Sequence, residues 1–270
     1  MSFSSNVKEE LSKINNLSNK EQIKAELIGY LVSSNISIIN NKQVKYSTES
    51  EYNINRFSKL LNNVGILNYQ IEMQGKSFVI IFDIKQIFEL IDYKDGKIHI
   101  KEFEPKEEIL KSIVRGIFLG AGSINNPENK YHLEINLLSG ENEDFVYDNM
   151  FNYGIKLKKI KIAKEYSLYL KDGEEISKFL AFIGANKAVI EFEEIRVKRD
   201  MNNKINRLVN CEAANLNKTI NASIAQIEAI EYLKKINEFE KLEDNLKEIA
   251  QIRVENPNMP LSELGALLKE

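Results

Sequence analysis

The chain repeats itself. The same order of elements can be read from Lys24 to Asp92 and again from Lys111 to Gly184. Each copy opens on a helical stretch with small residues four apart, Gly29 and Ser33 in the first, Gly116 and Gly120 in the second. Two strand-like runs follow, Ser37–Asn40 with Val44–Thr48, then Ser123–Asn125 with His132–Leu138. A second helical stretch ends on a Gly-Ile pair, Gly65-Ile66 and Gly154-Ile155. A hairpin comes next, Tyr69–Met73 with Ser77–Phe82, and Leu157–Ile162 with Ser167–Leu170. Each copy closes on an apolar-periodic helix, Ile84–Ile91 and Ile176–Ile183. The offset drifts from 87 residues at Gly29/Gly116 to 89 at Gly65/Gly154 and 92 at Ile84/Ile176, as small loop insertions in diverged copies would produce. Small residues at i and i+4 lie on one helix face and let two helices approach closely. If Gly29/Ser33 meets Gly116/Gly120, two αββαββα halves pack about a pseudo-twofold axis and their strands form two saddle-like sheets.

Composition limits the classes open to such a fold. With 270 residues, 43% apolar and 29% charged, the chain has material for one large globular domain or two smaller ones. A net charge of -3 requires any nucleic-acid contact to come from local patches of positive charge. Cys211 is the single cysteine, which excludes an internal disulfide and a thiolate metal cluster and fits a reducing cytosol. Residues Met1 to Lys13 hold no apolar run, and the longest one, Phe78 to Phe82, is the length of a buried strand. A soluble, cytoplasmic protein without membrane contact is expected.

After Gly184 the pattern changes. Arg196, Lys198, Arg199, Lys204 and Arg207 crowd a stretch with few acids, and Asn202-Asn203 predicts a break there. From Cys211 onward the chain reads as helix, with Ile220, Ile224, Ile227, Ile230 and Leu233 forming an apolar stripe. A helix from about Asp244 to Val254 stops at Asn256-Pro257, and Pro260 introduces a short one, Leu261 to Leu268. His99 and His132 have no partner at metal-ligand spacing and read as structural; no cofactor is expected.

Two resemblances sharpen this. Gly116-Ile-Phe-Leu-Gly-Ala-Gly-Ser-Ile124 resembles the LAGLIDADG motif of homing endonucleases, and Leu27-Ile-Gly-Tyr-Leu-Val-Ser-Ser-Asn35 is a weaker second copy. In that family the last acid of each motif holds a divalent metal. Aligned on the glycines, those positions are Ser34 and Ala121, and Leu119 stands where the motif's other acid would be. None can supply the charged oxygen ligand that Mg²⁺ prefers, so no catalytic or metal site is expected. Further segments resemble the WhiA family: Phe3-Ser4 with Val7-Lys8-Glu9-Glu10-Leu11, Lys24-Ala25-Glu26-Leu27, and Pro127-Glu128 with Tyr131-His132-Leu133-Glu134. Most specific is Asn206-Arg-Leu-Val-Asn-Cys-Glu-Ala-Ala-Asn215, continuing through Lys218-Thr219 to Gln226-Ile-Glu-Ala-Ile230.

The resemblance implies a non-catalytic, nucleoid-associated bacterial DNA-binding protein of cell division, chromosome segregation or sporulation-type transcriptional regulation. Its partners would be double-stranded DNA and other regulatory or division proteins. The expected fold class is α+β. A duplicated LAGLIDADG-like domain occupies residues 1–195, with repeats at about 20–92 and 107–185. A basic linker follows at 196–219, then a partial all-α helix-turn-helix domain at 220–270. WhiA-type proteins finish with a helix-turn-helix, and Asp244 to Leu268 looks like its opening helices, so either the chain is truncated before the recognition helix or this version has lost base readout. Candidate phosphate contacts are Arg196, Lys198, Arg199, Lys204 and Arg207. A second basic run, Lys156, Lys158, Lys159, Lys161 and Lys164, reads first as solvated strand surface. The competing readings are a protein-interaction scaffold that has lost DNA readout and, against the missing acids, a metal-dependent endonuclease.

Overall fold

The computed structural model describes residues 2–162 and 165–267. Helix α1 (Phe3–Ser12) precedes a first repeat of α2 (Lys20–Leu31), β1 (Ile36–Ile39), β2 (Gln43–Thr48), α3 (Glu51–Asn63), β3 (Tyr69–Gln74) and β4 (Ser77–Asp83). A small hairpin, β5 (Asp92–Lys94) with β6 (Lys97–His99), leads to the second. That repeat holds α4 (Glu107–Ala121), β7 (Gly122–Ile124), β8 (Leu133–Leu137), α5 (Gly140–Asn152), β9 (Lys158–Ile162), β10 (Glu165–Leu170) and α6 (Gly173–Ile183). A 50-residue helix, α7 (Asn186–Lys235), is followed by α8 (Asp244–Glu255) and α9 (Leu261–Leu267). The chain divides into two compact units, Met1–Val197 and Lys198–Glu270.

In the first unit each repeat builds a four-stranded antiparallel sheet, ordered β1-β2-β4-β3 and β7-β8-β10-β9. The shared order is the repeat made visible. The Gly-Ile pairs explain themselves as helix ends. Gly65 and Gly154 have φ of +87° and +76°, and the following amides reach back, Ile66 N–H to Leu61 O (2.9 Å) and Ile155 N–H to Met150 O (3.1 Å). This is the Schellman closure, with its isoleucine buried in the core in both copies. The helices also begin alike: Ser50 and Ser139 accept the backbone N–H of Asn53 and Asn142.

Helices α2 and α4 cross at the small residues. A Cβ added to Gly29 would run into the Ile113 carbonyl oxygen and stand 2.9 Å from Gly116 Cα. One added to Gly116 would run into Glu26 O, and one on Gly120 into the Ser33 hydroxyl. The backbones therefore touch, and Ile113, Ile117, Leu27 and Leu31 around the crossing are fully buried. One turn from it lies the carboxylate of Glu26, with no exposed side-chain surface. Its Oε1 accepts Arg56 Nε from α3 at 2.7 Å, and its Oε2 accepts Arg56 Nη2 (2.9 Å), Arg115 Nε from α4 (3.0 Å) and Asn16 Nδ2 (3.0 Å). Other guanidinium protons go to Ile14 O (2.8 Å), Ile183 O (3.2 Å), Ser112 Oγ (3.1 Å) and Asn16 Oδ1. Burial alone would raise the Glu26 pKa, but the two arginines outweigh it and hold the carboxyl below its ordinary value.

Three expectations are corrected. The closing helix at Ile84–Ile91 is a single 3-10 turn, Ile84–Ile87, although Ile84, Ile87 and Ile91 are buried as its periodicity requires. The chain leaves it for β5 and β6, whose turn is the positive-φ pair Asp95-Gly96, a strong hairpin signal. The expected linker, residues 196–219, is helical throughout and belongs to α7. Asn202-Asn203 does not interrupt it, since an asparagine in an exposed helix costs well under about 1 kcal/mol.

In the second unit α7 ends on Asn237 at φ +57°, with Glu238 N–H returning to Leu233 O. Residues 220–235 bury their isoleucine stripe in part, except Ile224, which is half exposed. Arg253 of α8 donates to Met259 O at 2.7 Å and Ser223 of α7 donates to Pro257 O, so both ends of the α8–α9 turn are tied. No helix among the described residues is long and apolar enough to cross a membrane.

Two outcomes follow from the crossing. Gly116→Ala should cost about 1–3 kcal/mol or more in a urea melt, because the methyl meets backbone that cannot yield, while Gly265→Ala, in open space, should cost nothing. Glu26→Gln should cost about 3–5 kcal/mol at neutral pH, because it strands two buried guanidinium groups. A depressed folded pKa contributes stability above the unfolded carboxyl pKa and loses it as pH falls through the folded one. The gap between wild type and Glu26→Gln should therefore narrow on acidification below about pH 4.5; a gap independent of pH would disprove the ion-pair account.

Candidate nucleic-acid interface

The ends of the two motif helices meet across the repeats. Asn35 donates Nδ2–H to Gly120 O at 2.6 Å and Asn53 donates to Leu119 O at 2.8 Å, so side chains of the first repeat cap the last carbonyls of α4. In return the exit of α2 is stitched to β8. Ser34 N–H donates to Asn136 O and Leu138 N–H to Val32 O, both at 3.0 Å. Ser34 is exposed and Ala121 nearly buried. Asn35 and Asn53 engage their side-chain N–H groups in holding backbone, Asn53 Oδ1 is buried without a hydrogen-bond partner, and no carboxylate stands at Ser34 or Ala121. Among the described residues no three His, Cys, Asp or Glu side chains come together to hold a metal ion.

Strand alternation gives each sheet one face against helices and one open face. On the open face of the first sheet Ser37, Lys45, Ile81 and Gln70 share a row. On the second, Ser123, Glu134, Tyr169 and Lys158 form the corresponding row. Lys171 Nζ lies 4.9 Å from the Tyr169 ring centroid, and His132 stands 6.1 Å from the same ring with its Nε2 3.0 Å from Glu134 Oε2. This surface carries lysines, an aromatic ring and hydroxyls, with the Glu134 carboxylate beside His132. Sequence alternation separates the strand lysines as it must: Lys158 is on this face, whereas Lys159 turns to α5. There it pairs with Asp144 and lies 4.4 Å from the Tyr147 ring centroid. Burial works against the Lys159 ammonium, yet Asp144 raises its pKa overall. Lys164 and the side chain of Lys161 lie outside the described residues. Lys171 and Lys45 had no cluster in the sequence to mark them; only the register of the strands reveals their place.

The other histidine is buried. His99 Nδ1 is 3.0 Å from Glu141 Oε2 and 3.2 Å from Ser139 Oγ. Both groups meet the same ring nitrogen, which a nucleophile–base–acid relay does not allow.

The five candidate cations all lie on α7. Arg196, in the first unit, is 3.2 Å from Glu193 Oε1. In the second unit Lys198, Lys204 and Arg207 are exposed and Arg199 is half-buried. At 100° per residue Arg199, Lys204 and Arg207 fall within an arc of about 140°, and Lys198 lies on the opposite side. Residues 200–218 are exposed at every position, including Ile205 and Leu208.

Residues 110–202 match the WhiA LAGLIDADG-like domain, and residues 205–270 match the WhiA C-terminal HTH domain. The "Probable cell division protein WhiA" of Staphylococcus carnosus is 35% identical over 285 residues, 99% of this chain and 90% of that protein. Its counterpart in Bacillus cytotoxicus is 36% identical over 293 residues, again covering 99% and 90%. The chain belongs to the WhiA family. The crystal structure of full-length WhiA from Thermotoga maritima aligns with 100% of the chain and 92% of its own at a TM-score of 0.64 and 27% identity. The WhiA HTH match begins inside α7, so Arg207 falls within it, Arg196, Lys198 and Arg199 fall within the LAGLIDADG-like match, and Lys204 lies between the two. Among the WhiA signatures in the sequence, Lys24–Leu27 carries Glu26, the carboxylate at the centre of the buried network.

A WhiA chain with this junction should leave supercoiled plasmid intact in the presence of Mg²⁺ or Mn²⁺. Nicking that follows the protein through purification and stops with EDTA would mean that a metal is held away from Ser34 and Ala121.

Proposed function

We propose that the chain is a non-catalytic, DNA-binding regulator of bacterial cell division that works on the nucleoid, with chromosome segregation and developmental transcription as its wider setting. The observation that carries this reading is the WhiA HTH match over residues 205–270, laid over helices α8 and α9 and the part of α7 that carries Arg207. Relatives named for cell division along nearly the whole chain supply the biological context.

Double-stranded DNA is the ligand these surfaces suit. Lys198, Arg199, Lys204 and Arg207 in one unit, with Arg196 in the other, offer charge to phosphates, which gives sequence-independent affinity. Lys158, Lys171 and Tyr169 offer a second contact on the open face of the second sheet. At the motif helix ends, loss of the carboxylates removes repulsion between the protein and a phosphate backbone as well as metal chemistry. A surface inherited from a DNA-cutting fold is thus left able to hold DNA without hydrolysing it. Further regulatory or division proteins are proposed as partners of the same complex.

Fluorescence anisotropy with labelled duplexes across a salt series tests the reading. Affinity should fall steeply with salt, each phosphate contact contributing roughly -0.9 to the slope of log K against log salt. Lys198, Lys204 and Arg207 changed together to Gln should weaken binding and flatten the slope, and Lys158 with Lys171 changed to Gln should do so independently. Absence of binding to any duplex at moderate salt would favour the scaffold reading instead.

A further inference from the structure

Three arginines are buried among the described residues, Arg56, Arg115 and Arg253. The first two share the Glu26 carboxylate. Arg253 of α8 is only 3% exposed, yet among the described residues no carboxylate lies within ion-pair distance of it. Its hydrogen bonds to described residues both leave from Nη1, to Met259 O (2.7 Å) and Asn256 O (3.4 Å), and its Nε is buried without a partner. A buried guanidinium without a counter-ion is costly to keep. Nε and Nη2 form the edge of the group that grips a carboxylate through two parallel hydrogen bonds. Arg253 lines a cavity of about 500 Å³ that lies wholly within the second unit. Its walls are otherwise aliphatic, built from Ala229 and Ile230 of α7, Leu246 and Ile249 of α8, and Leu261 and Leu264 of α9, with Gln226 as the one other polar side chain. Leu264 is buried, whereas Leu246, Ile249 and Leu261 are exposed.

We propose that this cavity binds a small apolar carboxylic acid, its carboxylate on the Nε edge of Arg253 and its hydrocarbon against Ile230, Ile249 and Leu264. Each part of that ligand answers one feature of the site. The volume falls in the range of cavities that enclose small molecules. An aliphatic lining disfavours a sugar or a nucleotide, whose polar groups would leave water without finding partners. The guanidinium repels a cation, and a neutral hydrocarbon would leave its buried donor unpaired. An α-helix is about 10–12 Å across, so a docked helix would lie over the exposed leucines and leave the depth of the cavity unfilled. A narrow chain ending in a carboxylate reaches the donor and covers the leucines together. The same guanidinium holds the carbonyls of Asn256 and Met259, so ligand and α8–α9 turn meet on one side chain.

Calorimetric titration of the full chain with decanoate, kept below the concentration at which it forms micelles, should give a single saturable site. Decylamine, of the same chain length and opposite charge, should not occupy it. In nitrogen-edited NMR spectra decanoate should shift the Arg253 Nε–H signal. Arg253→Lys keeps the charge but loses the two-pronged edge and should weaken decanoate at least about tenfold. That substitution also loosens the α8–α9 turn, so a second variant leaves the arginine in place. Ala229 is exposed, and Ala229→Trp sets an indole into the cavity, which should abolish decanoate binding and leave the thermal melt unchanged. No binding of decanoate, or equal binding of decylamine, overturns the proposal. Binding that survives Ala229→Trp with the Arg253 signal unmoved also overturns it, by placing the acid on another apolar surface.

Discussion

Backbone contact between α2 and α4 is the constraint from which the first unit is built. Gly29 and Gly116 leave no room for a methyl group between the helices, so the two repeats approach to the limit set by main-chain atoms. At that distance the C-terminal ends of both helices lie side by side, and each repeat can supply what the other lacks. Asn35 and Asn53 cap α4, and the segment after α2 adds hydrogen bonds to β8. A sheet assembled from one repeat alone would lack these partners, and buried carbonyls without them cost more than the hydrogen bonds contribute.

The close approach also explains why a charged cluster can lie in the core. Residue 26 stands one turn before Gly29, close enough for its carboxylate to reach Arg115 on α4 and Arg56 on α3 together. One carboxylate does not neutralise two guanidinium groups, and the excess is spread over carbonyl oxygens at Ile14 and Ile183 and over Asn16 Oδ1. These lie before the first repeat and at the end of the second, so the cluster ties both ends of the duplicated segment to its centre. A related economy operates at the start of α7, where the Glu10 carboxylate from α1 accepts the backbone N–H of Lys187 (2.7 Å) and Ala188 (3.0 Å). A carboxylate at a helix N-terminus meets both its free donors and its dipole. The first turn of the long helix is thereby fixed to the amino-terminal segment.

Much of this was legible in the sequence because it rests on glycine and on period. Gly29, Gly116 and the two Gly-Ile pairs mark backbone geometry that few other residues allow, and they survived divergence of the copies as recognisable landmarks. The hairpins followed from alternation. What escaped detection has a common cause. The 3-10 turn at Ile84–Ile87 has the buried isoleucines of a helix but only a turn's length before the Asp95-Gly96 hairpin draws the chain away. The continuity of α7 through Asn202-Asn203 depends on helix cooperativity over 50 residues, which a local propensity cannot display. The pairing of Lys158 with Tyr169 and the approach of Lys171 to that ring depend on register between strands, and the partners of Glu26 on tertiary packing. Spacing locates residues on an element; it does not say which element lies opposite.

Duplication explains why the copies could then diverge in chemistry while keeping one topology. The elements facing the crossing share a single solution, since any side chain at Gly29 or Gly116 would force the repeats apart. The outer strands have no such obligation. At the same outermost position one copy has placed Ile71 and Met73 and the other Lys158 and Lys159, and the polar face of one strand carries Glu72 where the other carries cations. Selection on the centre is steric and symmetric; selection on the edges is set by what each edge must attract or refuse. A cationic edge beside Tyr169 suits a polyanion, whereas the β3 edge carries Ile71 and Met73 with the single carboxylate of Glu72. The pseudo-twofold fold thus presents two unlike surfaces on equivalent scaffolds, and a single chain gains the asymmetry that two identical halves would not have.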